Sequence, residues 1–211
     1  MLVSELLSRF ELYVDDGTEL STQEELDLLN KVYQKVCAEK PWEFLKKSAT
    51  GTLSTSVAYV ALPSDFGYII ENNNYTDFTT TIHNVTSPRV VFVGSNYEPY
   101  TIVNWSDRRQ YRDMPNVAYI DIANSRLYFA KQPTIADSYE FDYMSVPTTL
   151  TTSSTPLIPE RFQHILYHGM AIEDDITQRY DKARSYAGEN KEYYDSFLRD
   201  MCYWNAMLMN N

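Results

Sequence analysis

Lys40-Pro41-Trp42-Glu43-Phe44-Leu45 is where a helical pattern stops and a strand pattern begins, and its reading decides the fold. Pro41 has no N–H and disfavours helical geometry in Lys40, so the incoming helix is predicted to end there. Trp42, Phe44 and Leu45 then supply an apolar plug suited to burial where two layers meet. Apolar residues recur at a helical period before this stretch. From Ser48 to about Val146 they alternate as in strands, and the helical period returns after Pro159.

Working outward, Val3 to Val14 places Leu6, Phe10 and Tyr13 at helical spacing, and Asp15-Asp16-Gly17 closes that helix. Ser21-Thr22-Gln23-Glu24 has capping-box form and opens a second helix running to about Lys40, with Leu26, Leu29, Tyr33 and Val36 as its stripe. Strands are predicted at 50–55, 57–62 and from Gly67 to Glu71. After a loop at 72–77, more follow at 78–83, 89–93 and 100–104. Val117–Ile122 and Arg126–Ala130 read as a hairpin turning at Asn124-Ser125, and Tyr139–Ser145 as a half-buried strand. A third helix is predicted from Glu160 to Tyr180 and a fourth from Asp181 to about Leu208, with Gly188 able to kink it.

The expected fold is α+β. Residues 1–46 and 156–211 form a helical bundle from both chain ends, and 47–146 an inserted antiparallel β-sandwich or small barrel. Residues 147–155 form an extended connector rich in Thr, Ser and Pro.

Composition narrows function. With 18 Lys and Arg against 29 Asp and Glu, the net charge of −11 opposes bulk attraction to DNA phosphates. No apolar run is long enough to span a membrane, and Glu5 interrupts the apolar start, so neither membrane span nor signal peptide is expected. Cys37 and Cys202 sit in helical patterns and read as small hydrophobes in a reducing compartment. The acceptor-like Asn74, Asn84 and Asn104 triplets are then chance matches. No nucleophile elbow, P-loop or dinucleotide fingerprint occurs, and six scattered glycines build no phosphate cradle. The carboxylates of Glu173-Asp174-Asp175 are explained by a solvated helix surface.

His164 and His168 lie four apart, with Glu160 one turn earlier, a spacing that can hold zinc. The protease glutamate after the first histidine is missing and no third ligand is evident, so a structural pair is expected, with no metal, cofactor or catalytic residue assigned. Trp105-Ser106-Asp107-Arg108-Arg109-Gln110-Tyr111-Arg112 is the one basic, aromatic-bearing stretch. Arg108, Arg109 and Arg112 can grip phosphates while Trp105 and Tyr111 stack on bases. Given the acidity of the chain, arginines meeting acidic surface on a neighbouring subunit is the favoured reading.

Several short stretches in order carry a resemblance. Leu29-Asn30-x-x-Tyr33 leads into Pro41-Trp42-x-Phe44-Leu45, then Thr50-Gly51-Thr52-Leu53 and Tyr59-Val60-Ala61-Leu62-Pro63-Ser64-Asp65-Phe66. The hairpin at 120–133 and the strand Tyr139–Tyr143 precede Pro147-Thr148-Thr149-Leu150. Pro156-Leu157-Ile158-Pro159-Glu160-Arg161-Phe162 and Asp181-Lys182-Ala183-Arg184-Ser185-Tyr186 complete the series. In this order they resemble the head–tail connector (adaptor) proteins of tailed bacteriophages, including the tail tubular proteins of short-tailed phages. Residues 70–116 depart from that pattern, being longer and more polar.

The resemblance implies a non-enzymatic virion protein at the head–tail junction, made in the host cytoplasm. It would be a homo-oligomeric ring, usually of twelve copies. Portal protein would bind on one side and a tail or nozzle protein on the other, with DNA passing through the lumen unbound. Met201, Trp204, Met207 and Met209 are apolar beyond what one helix face needs and are expected to dock on the portal. The alternative is a Tyr-rich β-sandwich binding glycan or another receptor, with the helices as attachment module. No stretch of sequence places aromatics on one exposed face beside carboxylates, which counts against it.

Overall fold

The structure is a computed structural model that describes residues 1–14, 20–71 and 89–209. It divides into two compact units, Met1–Leu45 with Pro147–Asn211, and Lys46–Val146.

In the helical unit, α1 (Val3–Val14) buries Val3, Leu6, Leu7, Phe10 and Val14 along one stripe. α2 (Thr22–Ala38) opens on the predicted capping box: the Ser21 hydroxyl accepts the Glu24 N–H at 3.3 Å, and the Ser21 N–H donates to Glu24 Oε2 at 2.9 Å. It ends two residues before Lys40. Fully buried Trp42 donates its indole N–H to Val36 O at 2.7 Å, a second and shorter bond to a carbonyl that also accepts the Glu39 N–H at 3.3 Å.

The predicted third helix is divided. A 3-10 turn at Glu160–Phe162 precedes α3 (His164–Ile172), and α4 (Asp174–Arg179) follows a break at Glu173, whose ψ is 140°. Lys31 Nζ lies 2.7 Å and Lys35 Nζ 3.6 Å from the Glu173 carboxylate, so both lysines of α2 hold that break. The last predicted helix is also two, α5 (Asp181–Ser185) and α6 (Ala187–Met209). The interruption falls at Tyr186, and Gly188 lies inside α6, where a Cβ would meet nothing within 4 Å. Gly169 of α3 is different. A Cβ there would come 2.4 Å from Val32 on α2 and 3.1 Å from Tyr194 on α6, so its absence lets three helices meet closely.

The described residues of 46–146 form one sheet of β1 (Lys46–Thr52), β2 (Tyr59–Ala61), β3 (Phe66–Ile69), β4 (Val90–Val93), β5 (Glu98–Val103), β6 (Val117–Asp121), β7 (Arg126–Phe129) and β8 (Ser138–Ser145). The order is β1-β8-β4-β5-β6-β7-β2, with β3 also on β8. Of the expected antiparallel β-sandwich or small barrel, the described residues form a single sheet that curls as a half-barrel round Val60, Val91, Leu127, Phe129 and Phe141; it is mixed and not antiparallel throughout, because β5 and β6 run parallel. Parallel neighbours need a connection of about a dozen residues. Residues 104–116 supply it, so the basic, aromatic stretch is the crossover itself.

The hairpin of β6 and β7 is present, but its loop is four residues, Ile122–Ser125, with Ser125 at a φ of 50°. Asp121 accepts from the Asn124 N–H and Nδ2, which fixes the loop and pairs Asp121 with Arg126 and Tyr119 with Tyr128. The helix end predicted at 15–17 and the loop and strand predicted at 72–77 and 78–83 lie outside the described residues.

Candidate functional site

The crossover begins with a 3-10 turn at Trp105–Asp107, which folds Arg108 back over the Trp105 ring at 4.0 Å while Arg108 Nη1 donates to Trp105 O at 2.7 Å. Trp105, 40% exposed, meets Tyr119 edge-to-face at 5.5 Å. Tyr119 stacks on Tyr128 at 5.4 Å, Tyr128 meets Tyr59 at 5.3 Å, and the Arg126 guanidinium lies 4.1 Å over Tyr59. Pairing across three strands sets this row, because Tyr59, Tyr128 and Tyr119 are register partners while Val60, Leu127 and Ala118 point to the core. Burial against its neighbours raises the Tyr119 hydroxyl pKa, keeping it a neutral donor.

Of the residues singled out from the sequence, Trp105 and Arg108 therefore come together. Arg109 and Arg112 are exposed beyond the row, Arg112 Nε lying 3.7 Å from Asp113, and Tyr111 is half-buried. Tyr59, Tyr119, Arg126 and Tyr128 were missed. Strand ends at Ile122 and Arg126, as read from the sequence, imply a different register, in which Tyr119 faces Phe129 and not Tyr128. The row gathers aromatic residues, but arginines and not carboxylates stand at its ends.

The second candidate surface is the end of α6. Met201 is fully buried and offers nothing to a partner, which corrects its expected role. Trp204 is half-buried, with Phe162 at 5.7 Å and the Arg161 guanidinium at 5.0 Å from its ring. Met207 is 63% exposed beside exposed Tyr203 and Leu208, while the side chain of Met209 lies outside the described residues.

His164 packs on the Tyr167 and Phe197 rings at 5.5 and 6.0 Å, while His168 belongs to a packed polar cluster. Buried His168 has Nδ1 3.1 Å from Asn190 Oδ1, the Tyr13 hydroxyl donates to the same oxygen, and Tyr193 stacks on the imidazole at 5.1 Å. Burial lowers the His168 pKa and favours the neutral ring. Glu160 sits in the separate 3-10 turn, exposed, 3.9 Å from the N-terminal amine, so it shares no continuous helix face with the histidines. Among the described residues no three His, Cys, Asp or Glu side chains gather as a metal site.

Two buried asparagines hold the backbone at both ends of the helical unit's interruption. Asn30 of α2 donates to Leu150 O at 3.0 Å and accepts from Leu150 N–H at 2.7 Å. Asn205 of α6 accepts from Glu43 N–H at 2.6 Å and donates to Pro41 O at 3.1 Å. Tyr33 Oη accepts the Leu157 N–H at 3.3 Å.

The described residues thus present a row of aromatic and guanidinium groups on one unit and an apolar helix end on the other. Residues 1–206 match the family described as SU10 adaptor protein. The chain belongs to that family, a phage head–tail adaptor family of structural proteins. No curated protein matches the chain.

Proposed function

We propose that this chain is one subunit of a ring that joins the portal to the tail and lets DNA pass through its lumen. The observation that carries the reading is the family match over residues 1–206, which takes in both units. Two kinds of surface on one subunit suit a ring, since a closed ring needs unlike faces that pair head to tail. The acid is also unevenly spread. Residues 46–146 hold eight Lys and Arg against ten Asp and Glu, and the remainder ten against nineteen, so the helical unit carries −9 of the total −11. A lumen lined by such a unit repels phosphate and lets DNA move without arrest. The test is to incubate the purified chain with the portal protein of the same phage, then image the product and weigh it. Closed rings on portal, absent without either partner, support the reading. Wild-type chain that stays monomeric and leaves portal bare refutes it.

A further inference from the structure

The row Arg126–Tyr59–Tyr128–Tyr119–Trp105–Arg108 points to one kind of partner. Tyr119 and Tyr128 stack on each other, Trp105 meets Tyr119 edge-to-face, Tyr59 is tilted on Tyr128, and a guanidinium lies over the ring at each end. A sugar or a nucleic-acid base stacks on a ring face, and at both ends of the row a guanidinium already lies over one. Arg126 Nη1 donates to the Tyr128 hydroxyl at 3.2 Å and Arg108 Nη1 to Trp105 O at 2.7 Å, which fixes both guanidiniums in place while leaving each with further N–H donors for an acceptor outside the row. Asp121, paired with Arg126, is buried and bonded to Asn124. The face is built for carboxylates on a folded surface.

The acid that would meet it is in the chain itself. α6 carries exposed Glu189, Glu192, Asp195 and Asp200, interleaved with Lys191 and Arg199. At 1.5 Å per residue the four acids span about 16 Å. Strands ~4.8 Å apart put the three tyrosines over about 10 Å, and the two guanidiniums extend the row to roughly 20 Å. Resting on the connector reading, we propose that this row is the face by which one copy grips the acidic side of α6 on the next copy.

A charge swap tests it. One variant carries Arg108→Glu and Arg126→Glu, the other Glu192→Lys and Asp195→Lys, and each is checked by circular dichroism for wild-type fold. With portal present, each variant alone is expected to form rings about tenfold less than wild type. Their equimolar mixture should recover rings of alternating subunits, because each reversed face then meets a reversed partner. Rings from either variant alone at the wild-type level overturn the proposal, as does a mixture that stays unassembled while both variants are folded. Binding of a glycan array or a single-stranded oligonucleotide that is lost with the arginine variant also overturns it. If wild type forms no ring on portal, the connector reading itself fails and takes this inference with it.

Discussion

Replacing Asn30 should destabilise the helical unit through the connector rather than through α2. Its amide makes three hydrogen bonds at a buried position: to Leu26 O and Leu150 O at 3.0 Å each, and from Leu150 N–H at 2.7 Å. Leu150 is buried and lies in no helix or strand, so its main-chain groups depend on this side chain. Asn30→Ala leaves that N–H and C=O unpaired, at about 1–3 kcal/mol each. The expected loss is about 2–5 kcal/mol, a large part of the roughly 5–15 kcal/mol that holds an ordinary domain together. Urea unfolding followed by circular dichroism reads it as a fall in midpoint at constant slope.

Asn30→Asp is the sharper version, keeping the shape and the acceptor while aiming a carboxylate at two carbonyls. Desolvation and those carbonyls raise the folded pKa of the new acid above its unfolded value. Its penalty is therefore small below the unfolded pKa, grows as pH rises, and is complete above the folded pKa. A loss under about 0.5 kcal/mol for the alanine variant, or an aspartate penalty constant between about pH 4 and 8, would refute the reasoning.

Gly169→Ala forces a methyl to 2.4 Å from Val32 Cγ1 and should cost about 1–3 kcal/mol, with Val32→Ala in the same chain recovering part of it in urea unfolding. Glu25 is buried, and desolvation with Glu11 nearby pushes its carboxyl from an ordinary 4.5 up to about 7. A raised folded pKa means stability falls as pH climbs from 4.5 through about 7. Glu25→Gln should then match wild type near pH 4 and exceed it by about 1–3 kcal/mol at pH 8, read from thermal unfolding at both pH values. Deleting Met207–Asn211, which lie beyond the family match, should abolish portal capture in a pull-down while leaving the helical circular dichroism intact; capture at the wild-type level would remove the α6 end from the interface.

The start of α2 was readable because its signal is local. Ser21 and Glu24 are three residues apart and need nothing else to form the capping box. The sheet was readable as alternation, but alternation reports which face a residue occupies and not which strand lies beside it. Nothing in Glu98–Val103 and Val117–Asp121 announces that they run parallel. The loop of β6 and β7 shows the same limit at finer scale: Asp121 accepting from Asn124 makes the turn four residues long and thereby creates the aromatic row. Asn30 and Tyr33 stood out in Leu29-Asn30-x-x-Tyr33, yet their partners, Leu150 and Leu157, are 120 and 124 residues away. Met201 misled because hydropathy alone cannot separate a buried methionine from an exposed one.

The paired asparagines have a consequence for how the chain is built. A side-chain amide can donate and accept at once, so Asn205 holds Pro41 and Glu43, and Asn30 holds Leu150, where the backbone has no ladder of its own. Pro41 could not join a ladder as a donor in any case. Both places where the chain departs from the helical unit and returns are thus tied down by helices of that same unit. Meanwhile Lys46 and Met144 are direct partners across β1 and β8, so the ends of the inserted sheet lie about 5 Å apart. A chain in which residues 46–146 are replaced by a short Gly/Ser linker should therefore fold. Closing so short a gap adds little loop entropy, and every asparagine contact named above is retained. The expected result is a cooperative thermal transition and full helical circular dichroism. The Asn30→Ala loss should be the same in the shortened chain as in the whole one. A shortened chain that is unfolded, or that no longer feels the Asn30 substitution, would mean that the sheet, and not the amide clamps, supplies this stability.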